Sequence, residues 1–255
     1  TSMVGEFPEL QGLMGRYYAL NDGEHAEVCE ALREQYLPRF AGDELPATKT
    51  GMAVAIADKL DTIAGIYATG QKPTGTRDPF GLRRAALGLL RTSIERRLDL
   101  DLQVLIAQAL AALPFAAPGN SARDVYDYVI ERLRAYYVEG DAGFTVTTEM
   151  FDAVLATRPA SPLDFDARLR ALVEFLRLPE AQALAAANKR IANILRKATE
   201  PVGEHVDADR LVDPAEQILG EQVEAIARQV EPKFTARDYT EALKSLAVLR
   251  NAVDA

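Results

Sequence analysis

Thr50-Gly51-Met52-Ala53-Val54-Ala55-Ile56-Ala57-Asp58-Lys59-Leu60-Asp61-Thr62 is the stretch that decides the fold class. The run Met52–Ala68 contains no proline, and its first half is apolar on nearly every side. A helix of that kind belongs in the middle of a bundle rather than on its surface. Outward from it, helical signals recur along the whole chain. Asn21-Asp22-Gly23 opens a helix over Glu24–Tyr36, and Asp78-Pro79 reads as an N-cap with proline at the first helical position of a helix to Arg97. Leu102–Leu113 is stopped by Pro114, and Ser121–Val138 sets Tyr126, Ile130, Leu133 and Tyr137 at helical spacing. Thr147–Thr157, Asp164–Arg177, Pro179–Lys197, Asp213–Val230 and Thr235–Ala252 complete the series. Strand-like alternation is confined to short pieces such as Gly143–Thr148. The expectation is an all-α protein of two helical units, 1–118 and 119–255, divided at the turn-rich segment Pro114–Ser121.

Composition narrows the function classes. The 255 residues are 48% apolar and 26% charged, an ordinary globular balance. No apolar run reaches the roughly 20 residues needed to span a bilayer, and residues 1–20 lack a secretory pattern, so no membrane partner is expected. One cysteine, Cys29, excludes an intrachain disulfide and fits a reducing, cytoplasmic setting. With two histidines, His25 and His205, no zinc cluster of Cys and His is expected. Alone, His25 reads as a capping or solvated residue and Cys29 as a small core residue.

The net charge of −9 argues against a nucleic-acid partner until it is resolved along the chain. Residues 70–100 hold seven basic and three acidic side chains, and residues 158–200 hold eight and five. Two basic islands therefore sit in an acidic chain. The first runs from Lys72 and Arg77 into a helix that sets Arg84 and Arg91 on one stripe with Gly88 between them; Arg83, Arg96 and Arg97 extend it. Gly88 is expected to let an extended partner approach the helix backbone. In the second, Leu184, Ala187, Ile191, Ile194 and Leu195 form an apolar stripe, while Lys189, Asn193, Arg196 and Lys197, with Arg190 beside them, occupy the opposite face. Cations with one amide suit phosphates and an unstacked base edge, whereas spacing alone favours a solvated amphipathic face, the commonest fate of such a pattern. Phe165, Phe175 and Tyr239 fit core spacing, so no aromatic stacking platform is evident beside this island.

Val4-Gly5-Glu6-Phe7-Pro8-Glu9-Leu10-Gln11-Gly12, Met14-Gly15-Arg16-Tyr17-Tyr18-Ala19, Ala55–Thr62, Gly70-Gln71-Lys72-Pro73-Thr74-Gly75 and Asp78-Pro79-Phe80-Gly81-Leu82-Arg83-Arg84 are ordered blocks that resemble the beta subunit of bacterial heterotetrameric glycyl-tRNA synthetases. Lys189-Arg190-Ile191-Ala192-Asn193-Ile194-Leu195 and Leu246-Ala247-Val248-Leu249-Arg250 resemble the helical anticodon-binding domain of the same family. The resemblance implies an HD-like helical domain over 1–118 and an anticodon-binding-like bundle over 119–255. It also implies a piece of a longer subunit that lacks a closing helix after Ala255 and could pair with a second copy through the surface so left.

HD phosphohydrolases use a histidine, a His-Asp pair and a later aspartate to hold a divalent metal. By resemblance, Asp58 stands where the late aspartate would be and Glu6 near the place of the missing His-Asp pair. These two residues are a degenerate remnant, and no catalytic or metal-binding residue is expected. As a buried carboxylate, Asp58 would need hydrogen-bonding or ionic partners where helices meet. The implied role is recognition and positioning of tRNA-Gly, with Lys72, Arg77, Arg83, Arg84, Arg91, Lys189, Arg190, Asn193, Arg196 and Lys197 as contacts. Glycine activation, with its ATP and magnesium, belongs by the same resemblance to a separate alpha subunit. That subunit and the rest of the beta subunit are the implied protein partners, and no cofactor is expected here. The competing readings are a metal-dependent phosphohydrolase and a subunit-interaction scaffold.

Overall fold

The computed structural model describes residues 2–73, 78–140, 143–197 and 211–249, and among them every regular element is helical. The elements are α1 (Ser2–Glu6), α2 (Leu13–Asn21), α3 (Ala26–Glu34), α4 (Lys49–Ala68), α5 (Leu82–Glu95), α6 (Leu102–Ala111), α7 (Ser121–Arg134), α8 (Thr148–Ala156), α9 (Pro162–Leu176), α10 (Pro179–Lys197), α11 (Pro214–Thr235) and α12 (Tyr239–Leu246). A π-helical turn, Ala135–Glu139, extends α7. The all-α expectation holds. Gly143–Thr148 forms no strand: Val146 is buried, Phe144 lies against Tyr137 with ring centroids 5.8 Å apart, and Thr147 caps α8. The apolar alternation there records packing rather than pairing.

The chain divides into two compact units, Thr1–Phe165 and Asp166–Ala255. The division falls inside α9 rather than at the composition break around Pro114–Ser121, because α7 packs on α4, α5 and α6. Gly119 and its neighbours are thus a surface turn within the first unit. Tyr126, Ile130 and Leu133 on α7 are buried, as their spacing predicts, with Val129 buried beside them, and Tyr126 donates its hydroxyl to the Pro159 carbonyl at 2.7 Å.

In the first unit α4 is the central helix, packed by α3, α5, α6 and α7, with Ala55, Ile56, Leu60, Ile63, Ala64 and Tyr67 buried. Its burial is less complete than composition suggests. Ala53, Val54 and Ala57 remain exposed, and part of that face opens on a cavity of about 500 Å³. Met52, Ile56, Leu60, Leu98 and Leu105 line the cavity, with Lys49 and Asp61 also on its wall.

The start of α4 is held from α3. Thr48 is the N-cap, its hydroxyl accepting from Gly51 N–H at 3.0 Å. Glu34, 1% exposed, accepts from Ala47 N–H at 2.8 Å, Thr48 N–H at 3.1 Å and the Thr48 hydroxyl at 2.5 Å. A carboxylate at a helix N-terminus meets donors that lack intrahelical partners. Gly51 is required beneath it, because a Cβ there would stand 1.9 Å from Glu34 Oε2.

His25 caps α3, its Nδ1 accepting from Glu27 N–H at 3.3 Å, and Cys29 is a buried core residue. Asp78 caps α5 from further upstream than the sequence suggests. Its two carboxylate oxygens accept from Leu82 N–H and Arg83 N–H at 2.8 and 2.9 Å, while left-handed Gly81 occupies the N-cap position.

In the second unit, Phe175, Ala181 and Ala247 form one buried cluster with Leu172, Leu184 and Leu243 packed against it. Ile226, Val230 and Ala242 join α11 to α12. Arg168 stacks on the buried Tyr239 ring at 4.5 Å.

Candidate nucleic-acid interface

Most of the first basic island is engaged by the first unit itself. Lys72 pairs with Asp124 of α7, and its ammonium stands 5.7 Å from the Tyr67 ring centroid. Arg91 pairs with Glu95 at 2.8 Å and donates to the Asp43 carbonyl at 3.4 Å. Arg96 donates to the Pro46 and Leu45 carbonyls, each at 2.9 Å. These two arginines clasp the loop between α3 and α4 against α5. Arg83 is half-buried and has interactions of its own. Arg84 is exposed, folds back over Gly81, and has no ion pair among the described residues. Arg77 lies outside the described residues.

Gly88 differs from its expectation. It is buried, and a Cβ on it would meet Lys59 Cε at 3.0 Å and the Pro38 ring at 3.2 Å. The close approach that glycine permits is taken by the chain's own Pro38 and Lys59.

Lys59 is a feature the sequence reading missed. Only 7% exposed, its ammonium donates to the carbonyls of Leu37 at 2.7 Å, Gln35 at 3.3 Å and Ala55 at 3.4 Å. Burial, opposed by the neighbouring Asp58 charge, lowers its pKa to about 8. Its one sequence signal is position: with Ile56 and Ile63 it shares the buried face of α4.

The second island is presented differently. Lys189, Arg190, Arg196 and Lys197 are exposed and Asn193 is half-buried; Ala186, Lys189, Arg190, Asn193, Ile194 and Lys197 line one shallow depression. Arg196 donates to Asn193 Oδ1 at 2.9 Å, a bond that uses the acceptor side of the amide and not its N–H donors. Arg190 has an interaction of its own, whereas Lys189 and Lys197 make no ion pair among the described residues. The apolar stripe of α10 is buried only at its start. Leu184 packs in the core, but Ile194 is 62% and Leu195 50% exposed, with Ile191 also open. The Ala187 side chain lies outside the described set. The last turns of α10 thus present cations and aliphatic carbon together.

The expected HD remnant is not assembled into a site. Glu6 and Asp58 are both exposed, and no group of three His, Cys, Asp or Glu able to hold a metal occurs among the described residues. Asp58 is therefore not the buried, partnered carboxylate expected, because its side of α4 faces solvent. His25 is occupied as a cap, and His205 lies outside the described residues. Among the described residues, the donors around Glu6 and Asp58 do not fit a divalent metal centre. No helix among the described residues is long and apolar enough to cross a membrane.

Comparison with known proteins agrees with the residue blocks quoted above. Residues 1–156 match the family described as glycyl-tRNA synthetase beta subunit. Over all 255 residues the chain is 53% identical to the glycine–tRNA ligase beta subunit of Marinobacter nauticus and 51% identical to that of Pseudomonas aeruginosa. It is 50% identical over 257 residues to the protein of the same name from Acinetobacter baylyi. The chain spans 36% of the length of the first of these relatives and 37% of the other two.

Proposed function

The chain belongs to the glycyl-tRNA synthetase beta subunit family, and from that premise we propose that it is the part of a cytoplasmic glycine–tRNA ligase that grips and positions tRNA-Gly. The ligase joins glycine to tRNA at the expense of ATP. In this reading glycine activation takes place on a separate alpha subunit, which also uses the ATP and magnesium, and this chain contributes no bond-making group. Holding tRNA in register converts an encounter of large molecules into a local one, which is where a non-reacting subunit adds rate.

One observation carries the reading: the exposed end of α10, where Lys189, Arg196 and Lys197 surround the Asn193 amide. Arginine and lysine neutralise phosphates, and an amide can donate to the edge of an unpaired base. From Lys189 to Lys197 the helix rises about 12 Å, so the cations follow a stretch of backbone rather than a single phosphate. The second unit is then the anticodon-binding bundle and the first the HD-like domain, whose partners are tRNA, the alpha subunit and the remainder of the beta subunit. An acidic chain bearing local cation clusters binds RNA weakly and with steep salt dependence.

The test is binding of tRNA-Gly against an unrelated tRNA at two salt concentrations, for the parent chain and for a Lys189→Glu, Arg196→Glu, Lys197→Glu variant. The expected result is preference for tRNA-Gly, lost in the variant together with part of the salt slope. Unchanged affinity and slope would remove α10 from the interface. Binding of alpha subunit without any RNA would favour the scaffold reading, and stoichiometric retention of a divalent metal on dialysis would favour the hydrolase.

A further inference from the structure

We infer that the groove between the Pro38–Asp43 turn and α5 is a seat for one unpaired RNA nucleotide, its base stacked on Phe40 and its phosphate on Arg84. The inference rests on the RNA-binding reading above and adds a second, separate contact in the first unit.

The turn is preorganised. Pro38 packs against Gly88, where no Cβ could fit without displacing it. Arg39 donates its backbone N–H and its Nε to the buried Asp43 carboxylate at 2.8 and 3.0 Å. Arg91 holds the Asp43 carbonyl from α5. On this fixed turn Phe40 is 57% exposed, which is uncommon for a phenylalanine that could pack inward. Its ring is backed by the Arg39 guanidinium, 5.8 Å from the centroid. The adjoining groove, of about 140 Å³, is lined by Phe40, Ala41, Arg83, Arg84, Leu87 and Arg91, with Pro38 and Gly88 at its base and no acidic side chain on its wall. Within it Arg84 makes no ion pair among the described residues.

An exposed ring beside an uncommitted guanidinium, in a groove of single-base size and positive lining, matches an unstacked nucleotide. Duplex RNA keeps its bases stacked internally and offers the site only phosphate. An acidic protein segment would use the arginines and leave the ring idle.

The experiment compares hairpin RNAs of one stem, blunt or carrying a short single-stranded 3′ overhang, on the full chain and on Phe40→Ala, Phe40→Trp and Arg84→Ala variants. Phe40 and Arg84 are exposed, so unchanged thermal melting is expected and verifies folding. The overhang RNA is expected to bind about tenfold tighter than the blunt one, within the range for one stacked base. Phe40→Ala abolishes that preference and leaves blunt affinity unchanged, Phe40→Trp retains it, and Arg84→Ala lowers the salt slope for the overhang RNA by about 0.7. If both hairpins bind but equally, or if Phe40→Ala keeps the preference, the nucleotide seat is wrong while the RNA-binding reading stands. If neither hairpin nor tRNA binds at low salt, that reading fails and takes the seat with it. Competition by polyglutamate that is lost in Arg84→Ala and not in Phe40→Ala, with no overhang preference, would reassign the groove to an acidic protein.

Discussion

The arginines of α5 and the cations of α10 have similar patterns in sequence and opposite fates in the fold. On α5, Arg91 and Arg96 are drawn onto the carbonyls of Asp43, Leu45 and Pro46, and Lys72 nearby is drawn onto Asp124. On α10, Lys189 and Lys197 are exposed and make no ion pair among the described residues, and even the aliphatic positions Ile194 and Leu195 are open. The difference comes from what lies opposite. The loop between α3 and α4 carries unsatisfied carbonyls that need donors, and arginine supplies several in a fixed fork. Among the described residues, no such loop faces the end of α10. Positive charge in a sequence therefore counts toward a nucleic-acid surface only after the backbone acceptors within reach have been served.

The sharpest way to break this comparison is to release the loop. Glu34→Ala removes the buried acceptor for Ala47 and Thr48 and is expected to destabilise the first unit by about 2 kcal/mol, through the loss of three part-buried hydrogen bonds to a charged group. The check is a urea midpoint, and a loss under about 1 kcal/mol would mean that the loop is held chiefly by the arginines.

Next in size is the α10 charge reversal described above. It should lower tRNA affinity by more than about tenfold while leaving the unfolding free energy within about 0.5 kcal/mol of the parent, as surface substitutions do. A smaller contrast separates two single arginines. Arg96→Ala should cost about 1–2 kcal/mol of stability through its two carbonyl partners, and Arg196→Ala close to nothing. Equal effects on thermal melting would erase the distinction between the islands.

The smallest effect is pH-dependent and belongs to Lys59. Its pKa is about 8 in the fold against 10.5 in the ordinary state. Between those values the unfolded chain retains a proton that the folded chain has released, so stability rises with pH across the window; below about 8 the penalty of the buried charge is present in full. Tyr67, Tyr126 and Tyr128 act in the opposite sense above about pH 10, because burial holds their hydroxyls above the usual range and the folded chain keeps protons that the unfolded chain loses. The unfolding free energy from urea titration should therefore climb between about pH 8 and 10, by on the order of 1 kcal/mol, and then fall. Lys59→Met should flatten the climb.

What was legible in the sequence was what neighbours in sequence decide. Apolar periodicity and capping signals located the helices from α3 onward but not α1 or α2, and the Tyr126–Tyr137 spacing identified a buried face correctly. Family likeness came from contiguous blocks. What was not legible depends on partners far along the chain. Arg96 meets carbonyls some fifty residues earlier, and Gly88 meets Pro38 and Lys59. Asp58 and Lys59 are adjacent, yet one faces solvent and the other the core, and only the placement of α3 and α5 around α4 determines which. Phe40 was overlooked because a single aromatic between proline, arginine and glycine carries no periodicity. Its signal was a large ring in a segment with no helical face on which to bury it.

The cavity beside α4 has a practical bearing on how such melts are read. Dyes that brighten on apolar surface find carbon-lined space already open in the native chain. A dye-based melt should start from a bright baseline and understate the transition. Circular dichroism, which follows the helices themselves, is the sounder gauge for this protein.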